Sequence, residues 1–184
     1  MLKVTPFLFC LFASVKVFAQ GRDTINDDTL KQEKFIDSIS KINSDKPLYV
    51  VDGTIYEGNI GAINPHNILL VGFIKPPGST SIYGEAGKNG TLLISTLNSG
   101  KEYYQRKLSR FSIRYRNYLD LNSNNDSGLV YILNGNVLSG DESQIIRQLC
   151  PKIENLVSVI FIEKFSEQMN LNNPKPVVVI VTKQ

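Results

Sequence analysis

The chain has 184 residues, of which 42% are hydrophobic and 20% are charged, a composition typical of one or two small globular domains. Its formal net charge is +3, and the N-terminal processing predicted below lowers it to +1 (18 basic against 17 acidic residues), so a nucleic-acid-binding role has little electrostatic support. Because the chain contains a single histidine, His66, a zinc site would depend on carboxylates or a thiol for nearly all its ligands. We therefore expect no metal site, and the turn at Pro65 predicts that His66 lies on the surface.

The first nineteen residues have the parts of a secretory signal peptide. Lys3 supplies a positive charge, residues 7–17 are mostly apolar, and Val17 and Ala19 place small side chains before a cleavage point. We expect residues 1–19 to be removed on export; an uncleaved N-terminal anchor is the alternative. Cleavage removes two lysines, which lowers the basic residues from 20 to 18 against 17 acidic ones.

Cleavage also removes Cys10, so Cys150 becomes the only thiol and no intramolecular disulfide can form. Its apolar neighbour Leu149 indicates a small buried side chain rather than a reactive thiol. Residues 20–46 form a polar leader, within which residues 30–43 are predicted as a short amphipathic helix. The apolar residues that set its period are Phe35, Ile36, Ile39 and Ile42.

Residues 47–100 are predicted to form a small β-rich module. Residues 48–51 are β-branched and aromatic, as in a strand, and the Asp52-Gly53 dipeptide is typical of a tight hairpin turn. Residues 54–56 can return as a short strand. Two further apolar runs, 68–75 and 92–95, are predicted as strands.

Between those last two strands the chain changes character. Residues 79–83 can form about one helical turn, and Gly84, Gly87 and Gly90 then interrupt the chain, which predicts a loop with left-handed positions. Tyr83 and these three glycines are the candidate binding loop for a small ligand or glycan. A phosphate-binding Walker motif is excluded, because it would require glycine at Ile82 and serine or threonine at Asn89.

This module carries a family resemblance. The segments concerned are, in order, residues 47–53, Ile63-Asn64-Pro65 with Ile68, Ile82-Tyr83-Gly84, Gly87, Asn89-Gly90 and residues 92–96. In order and spacing they resemble the plug domain of TonB-dependent outer-membrane receptors, most closely the nutrient-uptake receptors of Bacteroidetes-type bacteria. The resemblance covers residues 47–96 and implies a periplasmic location, with association at the inner face of the outer membrane.

The chain also departs from that family. Lys75-Pro76-Pro77 replaces a polar pair that usually follows the second strand, and the basic residue normally found near Glu85 and Ala86 is missing. After Thr96 the sequence does not show the many alternating strands of about ten residues that a transmembrane barrel needs. The resemblance therefore implies no transport activity.

Residues 101–125 are predicted as a helical connector with a polar linker at its end. One helix face carries Tyr104, Leu108, Phe111, Tyr115 and Tyr118, at spacings of 4, 3, 4 and 3. Most other positions are basic: Lys101, Arg106, Lys107, Arg110, Arg114 and Arg116. The alternation over 111–115 also allows a strand. The helix either binds anionic lipid or an acidic partner, or simply packs its aromatic stripe on a sheet; we favour the second interpretation.

The last third of the chain repeats the first module more weakly. Residues 131–135 (Tyr-Ile-Leu-Asn-Gly) match residues 49–53 at an offset of 82. Asn134 and Gly135 are therefore predicted to form a structural turn equivalent to that of Asp52 and Gly53. Residues 179–182 match residues 93–96 at an offset of 86. Asp141 and Gln144 have the spacing of a helix cap. Residues 126–184 are predicted as a second, degenerate plug-like module, with the match itself spanning 129–183.

The predicted fold is therefore α+β, with two small plug-like modules of about three strands and a short helix each, joined by a basic amphipathic helix. No nucleophile elbow accompanies His66 and the carboxylates are scattered, so we expect a non-catalytic protein without a cofactor. The predicted function is an interaction module for an envelope protein partner. The alternatives are a small-ligand or glycan-binding protein that uses residues 79–90, and an envelope enzyme or enzyme inhibitor.

Overall fold

The computed structural model describes Lys34, residues 46–163 and residues 175–183. The chain divides into two compact units, Met1–Thr96 and Leu97–Gln184. The predicted signal peptide lies outside the described residues, as does the predicted leader helix except for Lys34, which is helical. Within the described residues, no helix is both long and apolar enough to span a bilayer.

The first unit is built on a mixed four-stranded sheet with the strand order β2-β1-β4-β3. Its elements are β1 (Leu48–Val51), β2 (Thr54–Ile55), β3 (Ile68–Ile74), helix α1 (Gly78–Tyr83) and β4 (Thr91–Thr96). The antiparallel hairpin β1–β2 is the predicted one, and β4 runs parallel to β1 and antiparallel to β3. Because β4 has a partner on each edge, it is the central strand, and five of its six residues are buried.

One face of this sheet carries the apolar core of the first unit. Ile68, Leu92 and Ile94 are its fully buried members, and partly buried apolar side chains pack around them. Two of these, Ile60 and Ile63, come from the connection that precedes β3. That connection is held in short 3-10 turns, Ile60–Ala62 and Pro65–Asn67, whose first backbone N–H groups are capped by asparagine side chains.

The second unit begins with two helices and continues with a second mixed sheet of order β6-β5-β8-β7. Its elements are α2 (Leu97–Phe111), α3 (Ile113–Leu121), β5 (Val130–Leu133), β6 (Asn136–Val137), α4 (Glu142–Leu149), β7 (Leu156–Ile162) and β8 (Val177–Thr182). Helix α4 begins with the predicted cap, since Asp141 accepts from the Gln144 backbone N–H at 2.9 Å while the Gln144 side chain accepts from the Asp141 N–H at 2.8 Å.

The predicted connector is two helices rather than one. Ser112 interrupts the run with an extended backbone (φ −136°, ψ 110°), and its hydroxyl accepts from the Tyr115 N–H to start α3. The predicted aromatic stripe packs inward at Tyr104, Leu108 and Tyr115, but Phe111 is exposed. The 4-3-4-3 spacing failed there because it assumes unbroken helical rotation through residue 112.

The two sheets have the same topology and the same strand registers. Leu48 pairs with Thr91 as Val130 pairs with Val177, and an irregularity in register falls at the start of both β3 and β7. The described residues thus confirm an α+β fold with two small modules. Each sheet has four strands rather than about three, because the two-residue strands β2 and β6 each complete a sheet.

Candidate functional site

The predicted turn residues lie in two matching hairpins. Asp52 and Gly53 have φ of 50° and 80°, and Asn134 and Gly135 have φ of 50° and 85°, so both residues of each turn are left-handed. This is the turn geometry that matches the twist of the flanking strands, and it explains glycine at the second position. Both turns therefore serve to connect the two strands of a hairpin.

Each turn is also bound to the end of the central strand. The Asp52 carboxylate accepts from the backbone N–H and the hydroxyl of Thr96, both at 2.8 Å. In the second unit, the Asn134 amide oxygen accepts from the Thr182 N–H and its Nδ2 donates to the Thr182 hydroxyl, both at 2.9 Å. Aspartate and asparagine serve equally because a threonine hydroxyl can donate or accept.

The candidate binding loop is a close-packed segment. Tyr83 ends α1, and residues 84–87 continue as a 3-10 helix. Gly84 and Gly90 have the predicted positive φ (62° and 90°), but Gly87 does not. A Cβ on Gly87 would lie 2.5 Å from the Ser79 carbonyl oxygen, so glycine is required there by packing.

Two observations describe the surroundings of Gly90 and Tyr83 in this loop. A Cβ on Gly90 would lie 2.4 Å from the Phe73 ring, which makes it a second point of close approach. The Tyr83 hydroxyl is buried and has no hydrogen-bond partner among the described residues, and burial raises the pKa of Tyr83. The structure therefore explains Gly84 by its positive φ, Gly87 by packing and Gly90 by both. The Tyr83 hydroxyl is then the polar group of this loop that a ligand could use.

Asp126, in the second unit, is the one charged residue among the buried residues that the structure describes, and the sequence did not indicate it. Asp126 is 4% exposed, and its Oδ2 accepts from the Tyr104 hydroxyl at 2.5 Å and the Tyr131 hydroxyl at 2.7 Å. Since Tyr131 donates its only proton to Asp126, its oxygen accepts from the Tyr115 hydroxyl at 3.0 Å. Lys101 Nζ lies 3.4 Å from Oδ1. We call these five residues the Asp126 cluster.

The electrostatics of the Asp126 cluster keep its charge states fixed. Burial alone would raise the pKa of Asp126, but the hydrogen bonds from its neighbours, that of Tyr104 foremost, and the Lys101 charge outweigh burial and lower the pKa. Burial, with the nearby carboxylate, raises the pKa of Tyr104 and of Tyr131. No group in the Asp126 cluster is thereby brought to a pKa near neutrality, so the cluster is suited to holding structure rather than to proton transfer.

Tyrosine chemistry was the one signal that pointed toward this cluster. A buried tyrosine needs a partner for its hydroxyl, and the inner helix face carries Tyr104 and Tyr115 where phenylalanine would pack as well. The acceptor could not be identified, because Asp126 lies in a stretch of asparagine and serine that is typical of a solvated linker.

The outward face of the second sheet carries a row of apolar side chains that crosses all four strands. Val137, Ile132, Val179 and Ile160 are successive cross-strand partners on β6, β5, β8 and β7. Val137 is 63% exposed and Ile160 is 55% exposed, with Val181 also exposed on the same face. We call these five residues the open apolar row.

The equivalent positions of the first sheet are enclosed. By the same strand pairings they are Ile55, Val50, Leu93 and Gly72. Val50 is 1% exposed and Leu93 is 5% exposed, although Ile55 at the end of the row remains exposed. The two modules therefore share a strand arrangement but differ in the solvent exposure of the side chains on this face.

The remaining candidate groups have ordinary structural settings. Cys150 is buried, as predicted; its thiol lies 3.4 Å from the Gly100 carbonyl oxygen, and burial raises its pKa to about 12. His66 is exposed in the 3-10 turn before β3. The described part of the chain contains no group of three or more metal-ligating side chains.

Comparison of the chain with protein-family models, with curated proteins and with solved structures finds no match.

Proposed function

We propose that this protein is an exported, non-catalytic, plug-like interaction module that engages a protein partner in the bacterial cell envelope. The open apolar row is the contact surface in this proposal. Three features support it: the signal-peptide pattern of residues 1–19, the resemblance of residues 47–96 to receptor plug domains, and the repetition of one sheet topology in both units. The proposal assigns the chain no transport activity.

The contrast between the two modules is the observation that carries the proposal. When one face of a sheet is exposed to solvent, polar residues normally occupy that face and alternate along each strand with the apolar residues of the core. Here the outer row is valine and isoleucine on every strand, with Val137 and Ile160 more than half exposed. Contiguous exposed apolar patches on soluble proteins commonly mark interaction sites.

The shape of this surface favours a protein over a small molecule. The row follows a four-stranded sheet from one edge to the other, and neighbouring strands lie about 4.8 Å apart, so it extends roughly 14 Å across the strands. Small-molecule sites are instead concave and carry a few convergent polar groups. β-Branched side chains on a sheet also lose little rotamer freedom when a partner covers them.

Affinity capture with paired variants tests this function. Purified wild-type protein, Val137→Gln/Ile160→Gln and Ile55→Gln are immobilised separately and exposed to an envelope extract of the producing bacterium. Ile55 is the matched control, because it occupies in the first module the position of Val137 in the second. Circular dichroism spectra and melting curves check that all three proteins fold alike.

We expect wild type and Ile55→Gln to capture the same envelope protein, and the double variant Val137→Gln/Ile160→Gln to fail to capture it. That protein, once purified, should bind wild type saturably in the reverse orientation. Equal recovery by all three proteins, or a complete lack of saturable binding, would contradict the proposed use of the open apolar row.

A further inference from the structure

The break between α2 and α3 presents two bulky apolar side chains to solvent. Phe111 is 50% exposed and Ile113 is 63% exposed, on either side of the buried Ser112. Because Ser112 has an extended backbone, its two neighbours lie on the side opposite to its own side chain. The Tyr115 N–H donates to the Ser112 hydroxyl oxygen, and this cap holds the arrangement in place.

Basic residues surround these two side chains, and they divide into two groups. Lys101 pairs with Asp126 and Glu142, and Lys107 pairs with Glu154 at 3.2 Å. Among the described residues, the arginines of α2 and α3 form no ion pair, and Arg110 and Arg114 directly flank the exposed apolar pair. These two lysines are therefore engaged within the fold. Arg106 lies over the Tyr103 ring at 5.9 Å, whereas Arg110 and Arg114 are exposed and form no ion pair among the described residues.

We propose that Arg110, Phe111, Ile113 and Arg114 form a peripheral binding patch for a membrane surface rich in anionic phospholipid. Guanidinium groups bind phosphate oxygens in a bidentate fashion. Aromatic and aliphatic side chains beside them can insert at the boundary between head groups and acyl chains. We call these four residues the junction patch.

Membrane fits the junction patch better than an acidic protein does. An acidic protein would satisfy Arg110 and Arg114, but it would also need a pocket to receive Phe111 and Ile113. A bilayer interface supplies both components without a shaped receptor, because phosphates overlie apolar chains everywhere on its surface. This inference rests on the helix junction and is independent of the open apolar row.

Vesicle sedimentation with the full chain tests the patch. Vesicles of equimolar phosphatidylglycerol and phosphatidylcholine are compared with pure phosphatidylcholine, for wild type, Arg110→Gln/Arg114→Gln and Phe111→Ser/Ile113→Ser. The matched controls are Lys75→Gln/Lys152→Gln for exposed charge and Val157→Ser for exposed apolar surface, since Val157 is 48% exposed against 50% for Phe111 and lies outside the open apolar row. Soluble polyglutamate provides an acidic polymer without a bilayer.

The expected result is binding to the anionic vesicles only. Loss of the two arginines should weaken partitioning by about 30-fold, at about fivefold for each charge. Loss of Phe111 and Ile113 should weaken it by about tenfold, while both controls bind like wild type. Three outcomes would overturn the proposal: no preference for anionic vesicles, full retention of binding by Phe111→Ser/Ile113→Ser, or equal binding to polyglutamate.

Discussion

Replacing Asp126 is the most direct way to measure what holds the second unit together. In the Asp126→Asn variant the side-chain shape and one carbonyl acceptor remain, but the negative charge is lost. The Tyr104 and Tyr131 hydroxyls then donate to a neutral oxygen, and Lys101 loses its buried counter-ion. The variant thus isolates the contribution of charge to the cluster.

The expected magnitude follows from the two hydroxyl bonds. A hydrogen bond to a charged group contributes about 1.5–3 kcal/mol, against about 1 kcal/mol for a neutral pair, so two weakened bonds cost about 1–4 kcal/mol. Asp126→Ala removes the acceptor altogether and leaves two buried donors unsatisfied, which should cost about 3–5 kcal/mol. Asp120→Asn, an exposed change on α3, should stay within about 0.5 kcal/mol of wild type.

Urea unfolding followed by tyrosine fluorescence is a suitable assay, because five of the eight tyrosines lie at positions 103–131 of the second unit. A cycle that combines Tyr104→Phe with Asp126→Asn should show coupling of about 0.5–3 kcal/mol. Hydrogen exchange of peptides from β5 would show whether the loss is local to that strand.

The pH dependence of stability tests whether ionised Asp126 stabilises the folded protein. The pKa of Asp126 is lowered in the folded protein, so the unfolded chain binds the proton more readily and the stabilisation is fully present above about pH 4. It is lost as the pH falls through the lower folded pKa, and the gap between wild type and Asp126→Asn should close there. A gap that is absent at pH 7, or one that persists unchanged at strongly acid pH, would refute this account of the Asp126 cluster.

Three further predictions concern the scaffold. Gly53→Val should lower stability by about 1–3 kcal/mol through the forced positive φ alone, since no atom lies near its Cβ position, and an unchanged melting temperature would contradict this. Gly87→Ala should cost about 1–3 kcal/mol, because the new methyl group meets the Ser79 carbonyl; a neutral effect in thermal melts would show that the 3-10 turn shifts freely. Cys150 should react with a thiol reagent at pH 8 far more slowly in native protein than in urea, because burial raises its pKa to about 12; similar rates in the two states would refute its burial.

Local chemistry determined which parts of the fold could be predicted. The Asp52-Gly53 and Asn134-Gly135 turns depend on backbone dihedral angles that two adjacent residues impose, so they can be identified from the dipeptide. The cap of α4 depends on residues three apart, Asp141 and Gln144, and is equally local. The repetition of the turn dipeptide and of the strand patterns at offsets of 82 and 86 was enough to predict two modules.

The failures arose where a contact that the spacing pattern does not include overrides that pattern. Ser112 lies within a convincing helical period, and its effect depends on the capping geometry that its hydroxyl adopts. The glycine spacing over residues 84–90 predicts left-handed positions without saying which they are, and the constraint on Gly87 is instead the approach of Ser79, eight residues earlier. Asp126 meets Tyr104 across 22 residues of sequence, and no spacing rule relates a linker aspartate to a helix face.

Comparison of the two modules within this one chain shows which features belong to the shared scaffold and which belong to a candidate site. Asp52 with Thr96 and Asn134 with Thr182 make the same connection with different donors and acceptors, so the connection itself is what both modules keep. Where the modules differ, the fold alone does not demand the residue. Val50 and Leu93 are buried, whereas Ile132 and Val179 are partly exposed and the row that contains them ends in two side chains that are more than half exposed. The Asp126 cluster is a further feature of the second unit. Because the two modules share strand registers and differ in the exposure of this face, it is the exposed apolar side chains of the second module to which we assign partner recognition.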